Sequence, residues 1–196
     1  MPNQAPLMME DENHQKLYYH FTPAAIGSNF IPLIVILSDE KDEVRHFEYK
    51  MWNVLTLELH FTKEDVSLQN LIQTLIEEIA DAHECEEHIY MYGSGESAYA
   101  ALYYGALCSV NAVYANTPSF THKRVSEVLT LQGTFPIVYI CDKGDNRDLS
   151  QEIDNFEAQC KVQDIQVKRQ DYPSEEDENQ NIKKVLNFFE RVASEA

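Results

Sequence analysis

The amino-acid sequence predicts an α/β protein, a three-layer α/β/α sandwich around a mostly parallel central sheet. Short apolar runs rich in β-branched and aromatic residues, at 32–37, 89–92 and 135–141, alternate with amphipathic helical stretches. These runs are continuously apolar rather than alternating, as in strands covered by helices on both faces. The run at 89–92 also passes through Gly93-Ser94-Gly95 straight into a series of strong helix formers, the pattern of a strand turning sharply into a helix.

The elements follow in order. Residues 1–15 are polar and acidic and are expected to form a flexible arm; 16–196 are expected to be one domain. Residues 17–21 read as a short aromatic strand at a sheet edge, and 22–30, with Pro23 and Gly27, as a loop. A buried strand at 32–37 ends in the polar Ser38-Asp39-Glu40, and a second strand spans 51–59. In the stretch 67–84, Leu68, Leu71, Ile72, Leu75, Ile76 and Ile79 recur at the spacing of one helical stripe. The strand at 89–92 leads into a helix at 96–107. A short strand at 111–115 is closed by Asn116-Thr117-Pro118 and followed by a helix at 121–131. The remaining elements are a strand at 135–141, a helix at 149–160, an edge-like strand at 165–169, and a helix at 178–193 that buries Ile182, Val185, Leu186 and Phe189. Sites in such sheets lie at the carboxyl ends of the strands. Here those ends are 38–40, 93–97, 116–118, 142–148 and the segment after Arg169.

Composition excludes several function classes. The chain of 196 residues is 44% hydrophobic, enough for a packed core and too much for a disordered chain. Its net charge of -18, from 33 acidic against 15 basic residues, repels phosphate backbones, so no nucleic-acid partner is expected. No stretch approaches the roughly 20 apolar residues of a membrane helix, and residues 1–10 lack the basic start and apolar core of a signal peptide. Cys85, Cys108, Cys141 and Cys160 stand far apart, as reduced core thiols of a cytoplasmic protein do. His83 and His88 flank an acidic loop without an evident third ligand, so neither metal nor cofactor is expected.

The run Tyr92-Gly93-Ser94-Gly95-Glu96-Ser97-Ala98-Tyr99-Ala100-Ala101-Leu102-Tyr103-Tyr104-Gly105 resembles the nucleophile elbow and following helix of α/β-hydrolases. It is most similar to small esterase-like members associated with bacterial surface-polysaccharide or accessory secretion functions. In those, a Gly-x-Ser-x-Gly-Gly turn leads into a helix of the type Tyr-Ala-Ala-Leu-Tyr-Tyr-Gly. The resemblance extends, in the order of elements, from about residue 32 to the C-terminus, and it implies a minimal α/β-hydrolase-like domain with no lid.

The resemblance also implies a Ser-His-Asp triad, which can be sought position by position. The elbow demands small residues two before and two after its apex. Gly95 at the apex gives Gly93 and Ser97, both small; Ser94 gives Tyr92 and Glu96; Ser97 gives Gly95 and Tyr99. Gly95 is therefore expected at the nucleophile position. Ser97, in a Gly-Glu-Ser-Ala string that resembles larger carboxylesterases, and Ser94 remain as alternatives, as does a tight turn with no chemistry. Asp145, in the loop after 135–141, is the acid candidate, with a turn or helix-cap role as the other reading. The histidine belongs after the last strand, where 170–178 holds none and offers only acids such as Glu175 and Glu176. His122 is the candidate base for a rearranged site. An oxyanion pocket needs only backbone N–H groups, expected at Glu96 and at Ser38–Asp39. The expected function is that of a binding or partner protein whose triad has been lost, taking a small ester- or acyl-bearing ligand or a protein partner. The alternative is a small serine esterase or acyl-transfer enzyme using Ser97 or Ser94 with a non-standard base.

Overall fold

A computed structural model describes residues 5–25, 31–38, 49, 51–59, 66–120, 128–129, 131, 134–173 and 177–194. The strands are β1 (Leu7–Glu10), β2 (Lys16–Thr22), β3 (Leu33–Ser38), β4 (Asn53–Glu58), β5 (Ile89–Ser94), β6 (Ala112–Asn116), β7 (Ile137–Cys141) and β8 (Val167–Arg169). The helices are α1 (Val66–Ala82), α2 (Glu96–Leu107), α3 (Arg147–Val162) and α4 (Glu178–Ser194). The strands form one sheet in the order β1-β2-β4-β3-β5-β6-β7-β8. From β4 to β8 every neighbouring pair is parallel; β2 runs antiparallel to both β1 and β4.

Strand alternation divides the core into two layers. Leu33, Val35, Leu55, Leu57, Met91, Val113, Val138 and Ile140 face α1, α2 and α3. The residues between them, including Ile34, Ile36, Val54, Tyr90, Tyr92, Tyr114 and Tyr139, face α4. The runs are apolar at every position because both faces are covered, and the three-layer mostly parallel sandwich expected from them is what forms.

Each layer has its own anchor. Helix α2 lies against the middle of the sheet and buries every residue from Ser97 to Leu102. A Cβ at Gly105 would meet Val113 Cγ2 at 2.3 Å, so only hydrogen fits where α2 crosses β6. On the opposite face, Ile182, Val185, Leu186 and Phe189 of α4 are buried at i, i+3, i+4 and i+7. Phe189 packs among the rings of Trp52, Tyr90, Tyr114 and Tyr139. Trp52 Nε1 donates to Glu190 at 3.0 Å, which satisfies its buried donor. At the far end of the sheet, Arg169 of β8 reaches back to Asp154 and Glu157 of α3. The Arg169 guanidinium holds the Glu157 carboxyl below its ordinary range.

Two expectations are corrected. Residues 7–10, assigned to a flexible arm, form strand β1. The cause is the turn that follows: Asp11 Oδ1 accepts from the N–H groups of Asn13 and Gln15 at 2.9 and 2.8 Å, folding the chain back, and Met9 packs on the core. The strand read at 17–21 is consequently not at the edge, since β1 covers it. The helix expected at 121–131 falls mostly outside the described residues. Among the described residues, no helix is long and apolar enough to cross a membrane.

Phe189 carries the α4 layer, so Phe189→Ala is expected to cost about 3–5 kcal/mol, the range for emptying a buried aromatic site. Urea unfolding followed by circular dichroism checks this; a loss below about 1 kcal/mol would mean that α4 is not held by this contact.

Candidate active-site elbow

The carboxyl ends of β5, β6 and β7 meet at one place, and the β5–α2 turn stands at its centre. A Cβ at Gly93 would lie 2.0 Å from the Ser97 carbonyl oxygen. Strand and helix therefore touch there, and glycine is the residue that permits it. Gly95, between them, has φ 62° and ψ -124°. That region is reached by glycine without the Cβ conflict that other residues suffer. A Cβ built on Gly95 would meet nothing within 4 Å, so a side chain there would project into open space.

The backbone of Gly95 is clamped from two sides. Its N–H donates to the Asn116 carbonyl at 3.0 Å. Its own carbonyl accepts from the N–H groups of Ala98 and Ser119, both at 3.1 Å, and from Tyr99 at 3.4 Å. The end of β6 and the first turn of α2 thus hold the strained residue in place.

The other candidates fall around this apex. Ser94 is the last residue of β5, half-buried and in register with Asn116. Ser97 lies in the first turn of α2 and is 7% exposed, while Glu96 beside it is exposed. Ser38 ends β3, half-buried, and its carbonyl accepts from Leu59 N–H at 2.9 Å. Asp145 is exposed and pairs with Lys143 at 3.6 Å. Asn146, not Asp145, caps α3, accepting from the N–H groups of Asp148 and Leu149; this corrects the cap reading of Asp145. Asp39, His122, Glu175 and Glu176 lie outside the described residues.

Sequence reasoning missed a polar network beneath this surface. The Tyr92 hydroxyl donates to Glu178 Oε1 at 2.6 Å, and Asn116 Nδ2 donates to the Tyr92 oxygen at 3.3 Å. The Cys141 thiol and the Thr117 hydroxyl both donate to Asn116 Oδ1, at 3.2 and 3.1 Å. Lys143 N–H donates to Thr117 Oγ1 at 3.0 Å. The network ties β5, β6 and β7 to the start of α4. Thr117 has φ 46°, an unusual angle for a β-branched residue. Its N–H donates to the Cys141 carbonyl at 2.8 Å, which helps to hold it there. Burial and the Glu178 carboxylate push the Tyr92 hydroxyl well above its ordinary range. Burial likewise raises Tyr114 and pushes the Cys141 thiol up to about 11, which favours its protonated form near neutrality. The sequence signal was there in part: a buried Asn at a strand end, with Cys141 directly opposite it on β7 and Tyr92 two residues before its opposite number, Ser94, on β5.

No family profile matches the chain, and no characterised protein matches it by sequence. Solved structures do. The S-formylglutathione hydrolase FrmB of Staphylococcus aureus superposes with a TM-score of 0.67 at 10% identity, over 93% of this chain and 96% of that one. Esterase 2 of Thermogutta terrifontis, in a form phosphoramylated by tabun, gives a TM-score of 0.67 at 12% identity, over 100% and 95%. The chain has the α/β-hydrolase fold. A further likeness is to the glycosylation-associated protein complex Gap123 of Streptococcus agalactiae, with a TM-score of 0.64 at 14% identity, over 97% of this chain and 46% of that one.

Two outcomes follow from the elbow and the network. Gly95→Ala is expected to destabilise the protein by about 1–3 kcal/mol, because alanine resists the angles there. An ordinary helical position would instead gain about 1 kcal/mol from the same change, so thermal unfolding separates the two by sign. The second concerns alkaline pH. Tyr92 and Tyr114 ionise above the ordinary 10.0 in the folded protein, so the unfolded chain loses their protons first. Their contribution is complete below pH 10 and declines as pH rises past it, and Tyr92→Phe is expected to flatten that decline. An unfolding free energy independent of pH between about 9.5 and 11.5 would contradict it.

Proposed function

We propose that this α/β-hydrolase-fold chain has lost the Ser-His-Asp triad and acts as a binding or partner protein. The observation that carries the reading is Gly95. It stands at the apex of the elbow, φ 62°, with two small flanking positions in contact and no side chain to act. A serine nucleophile needs a neutral acceptor for its proton, and no histidine follows His122 in the sequence. Asp145, in the loop where the acid belongs, is exposed and paired with Lys143. The likeness to a chain of a glycosylation-associated complex supports a role within a protein assembly. The four free thiols suit work in the cytoplasm. The open space over Gly95 at the first turn of α2 suits a neutral ester or acyl group, since Glu96 beside it disfavours an anion.

The test is hydrolysis of a short p-nitrophenyl ester, combined with labelling by a fluorophosphonate probe. The wild type is expected to be inactive and unlabelled. Gly95→Ser alone is expected to add almost no turnover, because among the described residues no base is positioned to take its proton. Gly95→Ser combined with Glu175→His is expected to give a modest gain. Strong wild-type turnover lost in Ser97→Ala, or labelling at Ser97, would overturn this reading in favour of a serine esterase. Turnover by Gly95→Ser alone would reveal an existing base, with His122 the first to replace.

A further inference from the structure

The two edges of the sheet are unlike. β8 is three residues long and carries the exposed Lys168 and Arg169. Short length and basic side chains are devices that keep an edge from pairing. The four residues of β1, Leu7-Met8-Met9-Glu10, include neither lysine nor proline. Leu7 and Met8 are 54% and 45% exposed, and Tyr18, directly opposite Met8, is 41% exposed.

The turn fixes which backbone groups of β1 face outward. Asp11 N–H donates to the Gln15 carbonyl at 3.1 Å. Antiparallel bonding alternates from there, so Leu7 and Met9 bond toward β2 while the N–H and C=O of Met8 and Glu10 point away from it. Among the described residues, no strand takes up those outward groups.

We propose that the outer edge of β1 docks an extended, basic and apolar segment of a partner protein, which adds a ninth strand to the sheet. The proposal deepens the reading of the chain as a partner protein and rests on it. Charge selects the occupant. Glu10, Asp11 and Glu12 crowd the end of β1, against Lys16 and a His14 already held by Glu10 at 2.9 Å. A second copy would bring the same acids to this edge and set one net charge of -18 against another. An added strand with an apolar residue opposite Met8 contacts Met8 and Tyr18 on one face of the sheet. A basic residue opposite Glu10, on that same face, meets its carboxylate.

The probe is a fluorescein-labelled peptide, Lys-Thr-Lys-Val-Val-Val, titrated with the full chain by fluorescence anisotropy. Its fully N-methylated form and Glu-Thr-Glu-Val-Val-Val serve as controls. The wild type is expected to bind the first peptide and to bind both controls roughly ten-fold more weakly, as the loss of one or two ladder bonds or of the charge match requires. Met8→Pro removes an outward N–H at a position where an edge strand tolerates proline, and is expected to weaken binding by a similar factor. Met8→Lys leaves the backbone intact and opposes the basic peptide with charge. It is expected to weaken binding as well, and it serves if Met8→Pro lowers the thermal midpoint. Equal binding of the N-methylated peptide, unchanged binding by both variants, or no binding of the first peptide would overturn the proposal. So would a wild-type dimer in sedimentation that Met8→Pro converts to monomer, because the occupant would then be a second copy. Ester hydrolysis measured on the same samples tests the partner-protein reading separately: turnover there would remove that reading whatever the anisotropy shows.

Discussion

The contact between Gly93 and the Ser97 carbonyl is the constraint on which the rest of this structure depends. It brings the Ser97 carbonyl oxygen within 2.0 Å of where a Cβ on Gly93, at the end of the central strand β5, would lie. That approach forces the chain to reverse over a single residue, which is why Gly95 takes a positive φ. The reversal lays α2 along the middle of the sheet, where its alanines and its Gly105 let it sink against β5 and β6. A bulkier junction would tilt α2 outward and uncover the layer it shares with α1 and α3. Where the fold carries a catalytic serine at this apex, the same geometry presents the hydroxyl. Here glycine occupies the apex and takes those angles without a Cβ conflict.

The second organising feature is polar. Asn116 stands buried between the ends of three strands and accepts or donates to Tyr92, Thr117 and Cys141, while Tyr92 reaches the first residue of α4. A buried polar cluster of this kind is stable only when each member has partners. In this fold the surface just above it is where triad chemistry would be assembled. The network spends its tyrosine, thiol and carboxylate on holding β5, β6, β7 and α4 together. Groups committed to such bonds, with a phenol and a thiol both held protonated, are poorly suited to shuttling protons.

Most of the fold was legible because its signals are local and repeated. The continuous apolar runs at 32–37, 89–92 and 135–141 are a direct consequence of two covered faces, and the i, i+3, i+4, i+7 stripe of α4 names its buried residues one by one. The tight turn from β5 into α2 was legible for a steric reason: small residues, Gly93 and Ser97, stand on both sides of Gly95. What escaped depended on pairing across distance. β1 is a strand only because Asp11 folds it back onto β2, and four residues with two methionines and a glutamate carry no strand pattern of their own. The partners of Asn116 lie 24 and 25 residues away in sequence, and their meeting is a matter of strand register rather than of any motif.

That α4 follows in sequence every strand it covers has a consequence for synthesis. The face of the sheet it covers is lined by Tyr90, Tyr92, Tyr114 and Tyr139, together with Trp52, all of them translated earlier. Until residues 178–194 have left the ribosome, that aromatic surface lacks the cover of α4. A nascent or prematurely terminated product therefore displays a broad sticky face on a sheet that is otherwise ready to form, the kind of intermediate that aggregates or is held by chaperones. Emergence of α4 is thus the event that closes this aromatic face.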